Sequence, residues 1–474
     1  MAARTFNEAT QIVVLGGSGD LARRKLLPAL FHLYINEQLP EQFQIIAFAR
    51  SDRSDAEYKD LVVQSIAKQS HEHDESVIAS FLDHVMYVSG AFDEAAGYTT
   101  LAEALTAYEE SIGTETHRLF YLAVPPRYYD SILENMHQAG IAEAESDRES
   151  WSRVLIEKPF GNDYHSAEEL DKKLGSYFKE DQIFRIDHYL AKEAVQNLLS
   201  FRFANPLFSP AWNKEYIKEV KIEMRERVDV GERGNFYKDV GALRDVGQNH
   251  LLQVLALITM DQPKTFNAET IQSERTKALE ALRPYNPATC DGEVIRAQYA
   301  GFADIEGVDD ASDTETYFEL KLFVDNDRWQ DVPFYIMAGK ALDEASVTVK
   351  IEFHELMSGL FETESCETSP NSIELKLSPD QHMSITLNAK RPGLTYQVEP
   401  RTLTVDCEFG DAEIKNSYEK VLRDCICGDQ TLFTSTAEVL ASWKYIVSVL
   451  EEWHNVPLQS YEKGSRGPAQ SLFN

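Results

Sequence analysis

The chain has 474 residues, 43% of them apolar, and carries 46 Lys and Arg against 78 Asp and Glu, a formal net charge of −32. That length exceeds one ordinary domain and can bury a sizeable core, while so acidic a surface argues against nucleic acid or an anionic membrane as partner. A phosphorylated substrate would need a local basic cluster set against the global field.

The first residues lead almost directly into a strand pattern with no apolar leader, and no run of 18 apolar residues occurs, so neither a secretory signal nor a membrane span is expected. Five cysteines (Cys290, Cys366, Cys407, Cys425, Cys427) are too few and too odd for a disulfide framework. They fit a reducing, cytoplasmic setting. Cys425 and Cys427 are too close for the usual zinc pair, and no metal site is expected.

In chain order, residues 11–16 form a short apolar strand that runs into Gly16-Gly17-Ser18-Gly19-Asp20. A helical spacing follows, with Leu21, Leu26, Leu30 and Leu33 on it. Residues 43–50 read as a second strand, 55–83 as helix, 85–90 as a third strand, 98–112 as helix, and 118–124 and 152–160 as further strands. Apolar strands alternating with helices indicate a parallel sheet covered on both faces, the doubly wound α/β class. After about residue 200 the pattern changes. A long helix is expected over 244–260, and strands at 217–226, 317–325, 347–355, 372–378, 383–390 and 403–409 alternate polar with apolar residues, as a half-exposed antiparallel sheet does. The reading is a Rossmann-like domain over 1–195 followed by an α+β domain over 196–474 with a large, mostly antiparallel sheet. No flexible linker separates them, so a tight interface is expected.

The turn from Gly16 to Ala22 lies between a strand and a helix and, taken from Gly17, is G-x-G-x-x-A. Glycines there admit a pyrophosphate to the backbone and the helix N-terminus favours it. Gly16, Gly17, Ser18, Gly19, Asp20 and Leu21 are therefore candidate cofactor residues. Arg50 ends the second strand where an NAD enzyme places an acid, and an Arg suits a 2′-phosphate; a solvated surface Arg is the other reading. Ala123 ends the fourth strand, where a loop lining the cofactor would sit.

Lys158, in Glu157-Lys158-Pro159-Phe160-Gly161, lies at the carboxyl end of a buried strand, within reach of cofactor and sugar hydroxyls. His188, Tyr189 and Lys192 fall on one face if that stretch is helical and would make a compact anion site; a solvated helix face is the alternative. His250, at the polar start of an apolar helix, reads on its own as a satisfied core residue as readily as a base.

At these segments the chain resembles the glucose-6-phosphate dehydrogenase family: GGSGDLA, EKPFG, RIDHYLAKE (185–193), RDVGQNHLLQ (244–253), VPFYIMAGKAL (332–342) and the closing LASWKYI and PLQSYEKGSRGP. The resemblance spans about residues 11–470. It implies that His250 is the base taking the proton from the sugar C1 hydroxyl and that Asp187 pairs with it. It implies further that His188, Tyr189 and Lys192 hold the substrate phosphate, and that Lys158, Glu226, Asp245 and Lys340 bind sugar hydroxyls, Lys158 also touching the cofactor. The implied cofactor is NADP, with NAD as the alternative; the substrate is glucose 6-phosphate and the assembly a homodimer or homotetramer. A cis bond before Pro159 is expected. Other readings are a dehydrogenase of a different hexose 6-phosphate and a non-catalytic NADP-binding sensor. Three positions and one short stretch depart from the family pattern. Ala191 replaces Gly. Met337 replaces the usual Arg, Asp343 to Ser346 offer no basic residue, and Ser378 replaces Gln. The last three remove charge or amide donors from the sugar side, so a weaker KM or a shifted hexose preference is expected.

Overall fold

A computed structural model describes residues 8–68, 74–142, 150–288, 293–355, 369–394, 397–406 and 417–473. Six strands, β1 (Thr10–Leu15), β2 (Phe43–Ala49), β3 (Val85–Ser89), β4 (His117–Leu122), β5 (Ser152–Ile156) and β6 (Ile183–Ile186), pair in parallel in the order β3-β2-β1-β4-β5-β6. That is the dinucleotide-binding order, with its crevice at the carboxyl ends of the strands where the order reverses. All six residues of β1 are buried. Each Val, Ile or Leu so enclosed contributes about 1.5–3 kcal/mol, which is why such strands need no polar alternation. The segment read as one helix over 55–83 is two, Asp55–Ala67 and Glu75–Leu82, with residues 69–73 outside the described ones.

The remaining strands are β7 (Ile217–Arg225), β8 (Val294–Tyr299), β9 (Tyr317–Leu322), β10 (Phe334–Gly339), β11 (Ser346–Phe353), β12 (Ser372–Ser378), β13 (His382–Lys390), β14 (Val398–Asp406), β15 (Phe433–Thr434) and β16 (Leu458–Tyr461). All but β15 form a nine-stranded sheet, β14-β13-β12-β11-β7-β10-β9-β8-β16, antiparallel except at β7/β10 and β8/β16. β7, β9, β11, β12 and β13 match the alternating segments; residues 407–409 of the last expected strand, like Cys290, Cys366 and Cys407, lie outside the described residues. β8, β10 and β16 were not expected as strands. β10 is largely buried and its sequence lacks the polar alternation, whereas β8 is equally buried although Arg296 and Gln298 alternate with its apolar residues.

The two parts of the chain interlock. The helix Ser417–Cys427 and β15 return to the parallel sheet, where β15 pairs antiparallel with β6 and Tyr418, Leu422, Cys425 and Phe433 pack beside β1, β2 and β4. One apolar cluster runs from β1 and β5 through Val195, Leu198, Val254 and Leu255 into β7 and β11. Among the described residues, no helix is long and apolar enough to cross a membrane.

Candidate active site

Register brings the candidate residues to one edge. Leu15 pairs with Phe48 and Leu122, Leu122 with Ile156, and Ile156 with Arg185. The residues that follow these strands, Gly16, Arg50, Ala123, Glu157-Lys158 and Asp187, therefore emerge side by side.

At the glycine turn, Gly16 has φ +92°, and a Cβ on it would lie 2.5 Å from the Ala123 carbonyl oxygen; one on Gly17 would lie 2.5 Å from the Ala47 Cβ. Any larger residue would push the turn off β2 and β4. Gly19 donates its amide to Gly16 O at 2.8 Å, closing the turn below the wide-turned helical segment Ala22–Leu26. Ser18 and Ser51 hydroxyls are 3.1 Å apart, tying the turn to the end of β2. Asp20 is exposed and 3.4 Å from Arg24, and Leu21 is half-buried. Arg50 is exposed, with one guanidinium nitrogen 3.5 Å from the Tyr128 hydroxyl. A glycine turn whose backbone alone fills the space between β1, β2 and β4 fits a dinucleotide pyrophosphate.

His250 stands on Leu243–Leu251, a stretch of wide (π) turns that continues as the α-helix Leu252–Thr259. Its ring is buried. Nδ1 is 2.6 Å from Asp187 Oδ1, which also accepts the Tyr189 amide at 2.8 Å. Nε2 is 2.9 Å from Lys158 Nζ. An ammonium can only donate and a carboxylate can only accept, so these partners place the ring proton on Nδ1 and leave the Nε2 lone pair as the basic site. Burial, reinforced by the Lys158 charge against the pull of Asp187, holds the imidazole well below its ordinary pKa and hence neutral near pH 7. Burial alone would raise Asp187, but the attraction and hydrogen bond of His250, with the Tyr189 amide, hold it below the usual carboxylate range.

Lys158 also donates to the Asp245 carbonyl at 3.1 Å and lies 3.6 Å from its carboxylate, whose other oxygen is 3.7 Å from Lys340. Lys340 in turn holds Glu226 in a close ion pair. The polar group formed by His250, Asp187, Lys158, Asp245, Lys340 and Glu226 is thus continuous. The Lys158–Pro159 bond is cis.

Residues 187–192 are turns, not helix; the helix starts at Glu193. The helical-face argument for His188, Tyr189 and Lys192 therefore fails; Ala191, which replaces the family's Gly, is buried in that turn. Tyr189 and Lys192 do meet: Lys192 Nζ is 3.7 Å from the Tyr189 ring centroid, and that ring lies tilted against His250, the centroids 4.3 Å apart. Burial lowers the Lys192 pKa, and no carboxylate lies within ion-pair distance of it among the described residues. His188 turns its Nε2 to Glu157 at 3.1 Å and to the Tyr418 hydroxyl at 3.2 Å, while its Nδ1 is buried without a partner. Glu157 further accepts from the Tyr121 hydroxyl at 2.5 Å. Glu157 lay in a quoted motif and Tyr121 in the expected fourth strand, neither with a role attached. Tyr418 arrives from 230 residues away and has no local signal.

Comparison with known proteins agrees along the whole chain. Residues 13–197 match the family model described as "Glucose-6-phosphate dehydrogenase, NAD binding domain", and residues 199–472 the one described as "Glucose-6-phosphate dehydrogenase, C-terminal domain". The glucose-6-phosphate 1-dehydrogenase of Chlamydia pneumoniae is 38% identical over 479 residues, covering 97% of this chain and 93% of that protein. The Bacillus subtilis enzyme of the same name is 36% identical over 473 residues, covering 97% and 95%. A solved glucose-6-phosphate dehydrogenase in complex with its substrate glucose-6-phosphate has a TM-score of 0.90 at 34% identity, covering 98% of this chain and 97% of the other. With strand order, glycine turn and family matches in accord from end to end, the chain belongs to the glucose-6-phosphate dehydrogenase family.

Proposed function

We propose that the chain oxidises glucose 6-phosphate at C1 to 6-phosphoglucono-1,5-lactone, with NADP preferred over NAD as hydride acceptor. The observation that carries this reading is the buried line Asp187–His250–Lys158, in which a neutral imidazole turns its unprotonated Nε2 to the Lys158 ammonium beside a cluster of charged and polar groups suited to a sugar. When bound, the dinucleotide supplies the hydride-accepting carbon of its nicotinamide ring. His250 Nε2 takes the C1 hydroxyl proton. Asp187 orients the ring and stabilises the imidazolium as it forms. Lys158 has the Asp245 carbonyl and carboxylate as other partners, so it can release Nε2 to the sugar. Asp245, Lys340 and Glu226 offer acceptors and a donor to the remaining hydroxyls. The half-buried cation Lys192, with no carboxylate paired to it, and the unpartnered buried Nδ1 of His188 support a phosphate site with Tyr189; such groups are costly to leave unmatched.

Arg50 at the end of β2, where no acid stands, supports NADP. The exposed outer residues Leu387, Leu403 and Val405 of β13 and β14 support self-association through that sheet, and the sparse cysteines support a reducing compartment. Met337 is fully buried, and Asp343 and Glu344 face Arg225 at 3.4 and 3.8 Å. These residues favour a second reading in which another hexose 6-phosphate is the better substrate. Steady-state kinetics over several hexose phosphates, with NADP and NAD, decides between them. Strict, tight selectivity for glucose 6-phosphate removes the second reading; inactivity with every sugar phosphate and both dinucleotides removes the first.

A further inference from the structure

Between β7 and the His250 segment, the chain makes the short helix Gly234–Tyr237, pinned by the Lys238 amide to Gly234 O at 3.0 Å and the Val240 amide to Tyr237 O at 3.0 Å. Tyr237 ends it. Only 1% of the residue is exposed. Its ring packs against Phe302, and Lys340 Nζ lies 5.3 Å from its centroid. Its hydroxyl has no hydrogen-bond partner among the described residues. Buried phenols nearly always have one, and an orphan hydroxyl costs about 1–3 kcal/mol. Asp245, Glu315, Glu226 and Tyr461 are its polar neighbours, and Asp245 and Glu226 are groups assigned above to the sugar. Met337, in the same apolar cluster, provides no polar partner.

We propose that the Tyr237 hydroxyl is a substrate-binding group, donating a hydrogen bond to a ring hydroxyl of the hexose phosphate held by Lys340, Glu226 and Asp245. The proposal rests on the sugar phosphate reading of this site. Burial beside carboxylates keeps the phenol protonated at every working pH, so it is a fixed donor. Met337, which stands where the family pattern leads one to expect an Arg, packs in the same apolar cluster as Tyr237.

The test is Tyr237→Phe, which keeps the ring and its packing. Wild type and variant are compared on glucose 6-phosphate and on its 2-, 3- and 4-deoxy analogues. The variant's KM for glucose 6-phosphate should rise about three- to tenfold, the size of one neutral hydrogen bond, with kcat nearly unchanged. On one deoxy analogue, wild type and variant should have the same KM, because the bond has already lost one partner. The ligand-free variant should melt no lower than wild type, since the hydroxyl it loses was unpartnered. Equal KM values on glucose 6-phosphate, an identical loss on all three analogues, or a melting point several degrees lower would each overturn the proposal. A wild type inert on every sugar phosphate would instead overturn the reading on which it rests.

Discussion

Replacing Asp187 with Asn separates two things the carboxylate does. One oxygen, Oδ1, accepts both the His250 Nδ1 proton at 2.6 Å and the Tyr189 amide at 2.8 Å, while Oδ2 is buried without a partner. An asparagine can put its carbonyl oxygen in the Oδ1 position and its NH2 in the Oδ2 position, so the ring orientation and tautomer survive. What is lost is the negative charge facing the imidazolium. Two unit charges about 4 Å apart interact by about 4 kcal/mol at an effective dielectric of about 20. Only part of that charge has developed in the transition state, so the loss should be about 2–4 kcal/mol, or about 30- to 1,000-fold in kcat. Steady-state kcat with C1-deuterated and ordinary sugar phosphate is the assay. The variant should show the full deuterium effect, because the chemical step limits it, with KM little changed. Asp187→Ala, which frees the ring as well, should lose more than Asp187→Asn. A drop below tenfold in the Asn variant, or equal activity of the Asn and Ala variants, would refute this division of labour.

Gly17→Ala should raise the KM for the dinucleotide more than tenfold and cost about 1–3 kcal/mol in urea unfolding, because the new methyl would sit 2.5 Å from the Ala47 Cβ; unchanged coenzyme binding would contradict the packing argument. The acid limb of wild-type kcat/KM should lie below about pH 6.5, the ordinary histidine value, because burial and then the Lys158 and His188 charges depress His250 against the pull of Asp187. Lys158→Gln removes one of those charges, so the limb should move to higher pH even as the rate falls; a limb that stays put would show that Lys158 does not set the base. Glu157→Gln weakens the grip on His188 Nε2 and the Tyr121 hydroxyl, and should raise the KM for the sugar phosphate about tenfold more than it lowers kcat.

The parallel half of the molecule was legible because its strands are buried on both faces and announce themselves as apolar runs, and because a glycine turn between β1 and its helix has few other uses. The strands β7, β9, β11, β12 and β13 were legible for the opposite reason, polar and apolar residues alternating in their sequences, even where, as in β9, nearly every residue is buried. β10 was not, because it is almost fully buried and its sequence, FYIMAG, carries no charged residue to set up an alternation. The return of Ser417–Cys427 and β15 to the first sheet is a long-range pairing with no periodic signal at all. Within the site, Lys158 was legible from its place at the carboxyl end of a buried strand, whereas the roles of His250 and Asp187 were reached through motif resemblance; the 63 residues between those two carry no geometry. The stretch 187–192 misled because its spacing fits a helix, whereas Asp187 turns back to accept the Tyr189 amide and so holds the chain in turns ahead of Glu193. Tyr418 and Tyr237 have no local signature, since what marks them is a partner, or its absence, contributed by distant chain.

The proposed role of His250 as the base of a sugar phosphate dehydrogenase is tested most directly by following reduced dinucleotide formation with glucose 6-phosphate and NADP, for wild type and His250→Asn side by side, with substrate binding measured separately. Wild type should be active, and the variant should still bind the sugar phosphate but turn over about 10²- to 10⁴-fold more slowly. A variant within tenfold of wild type would contradict the claim.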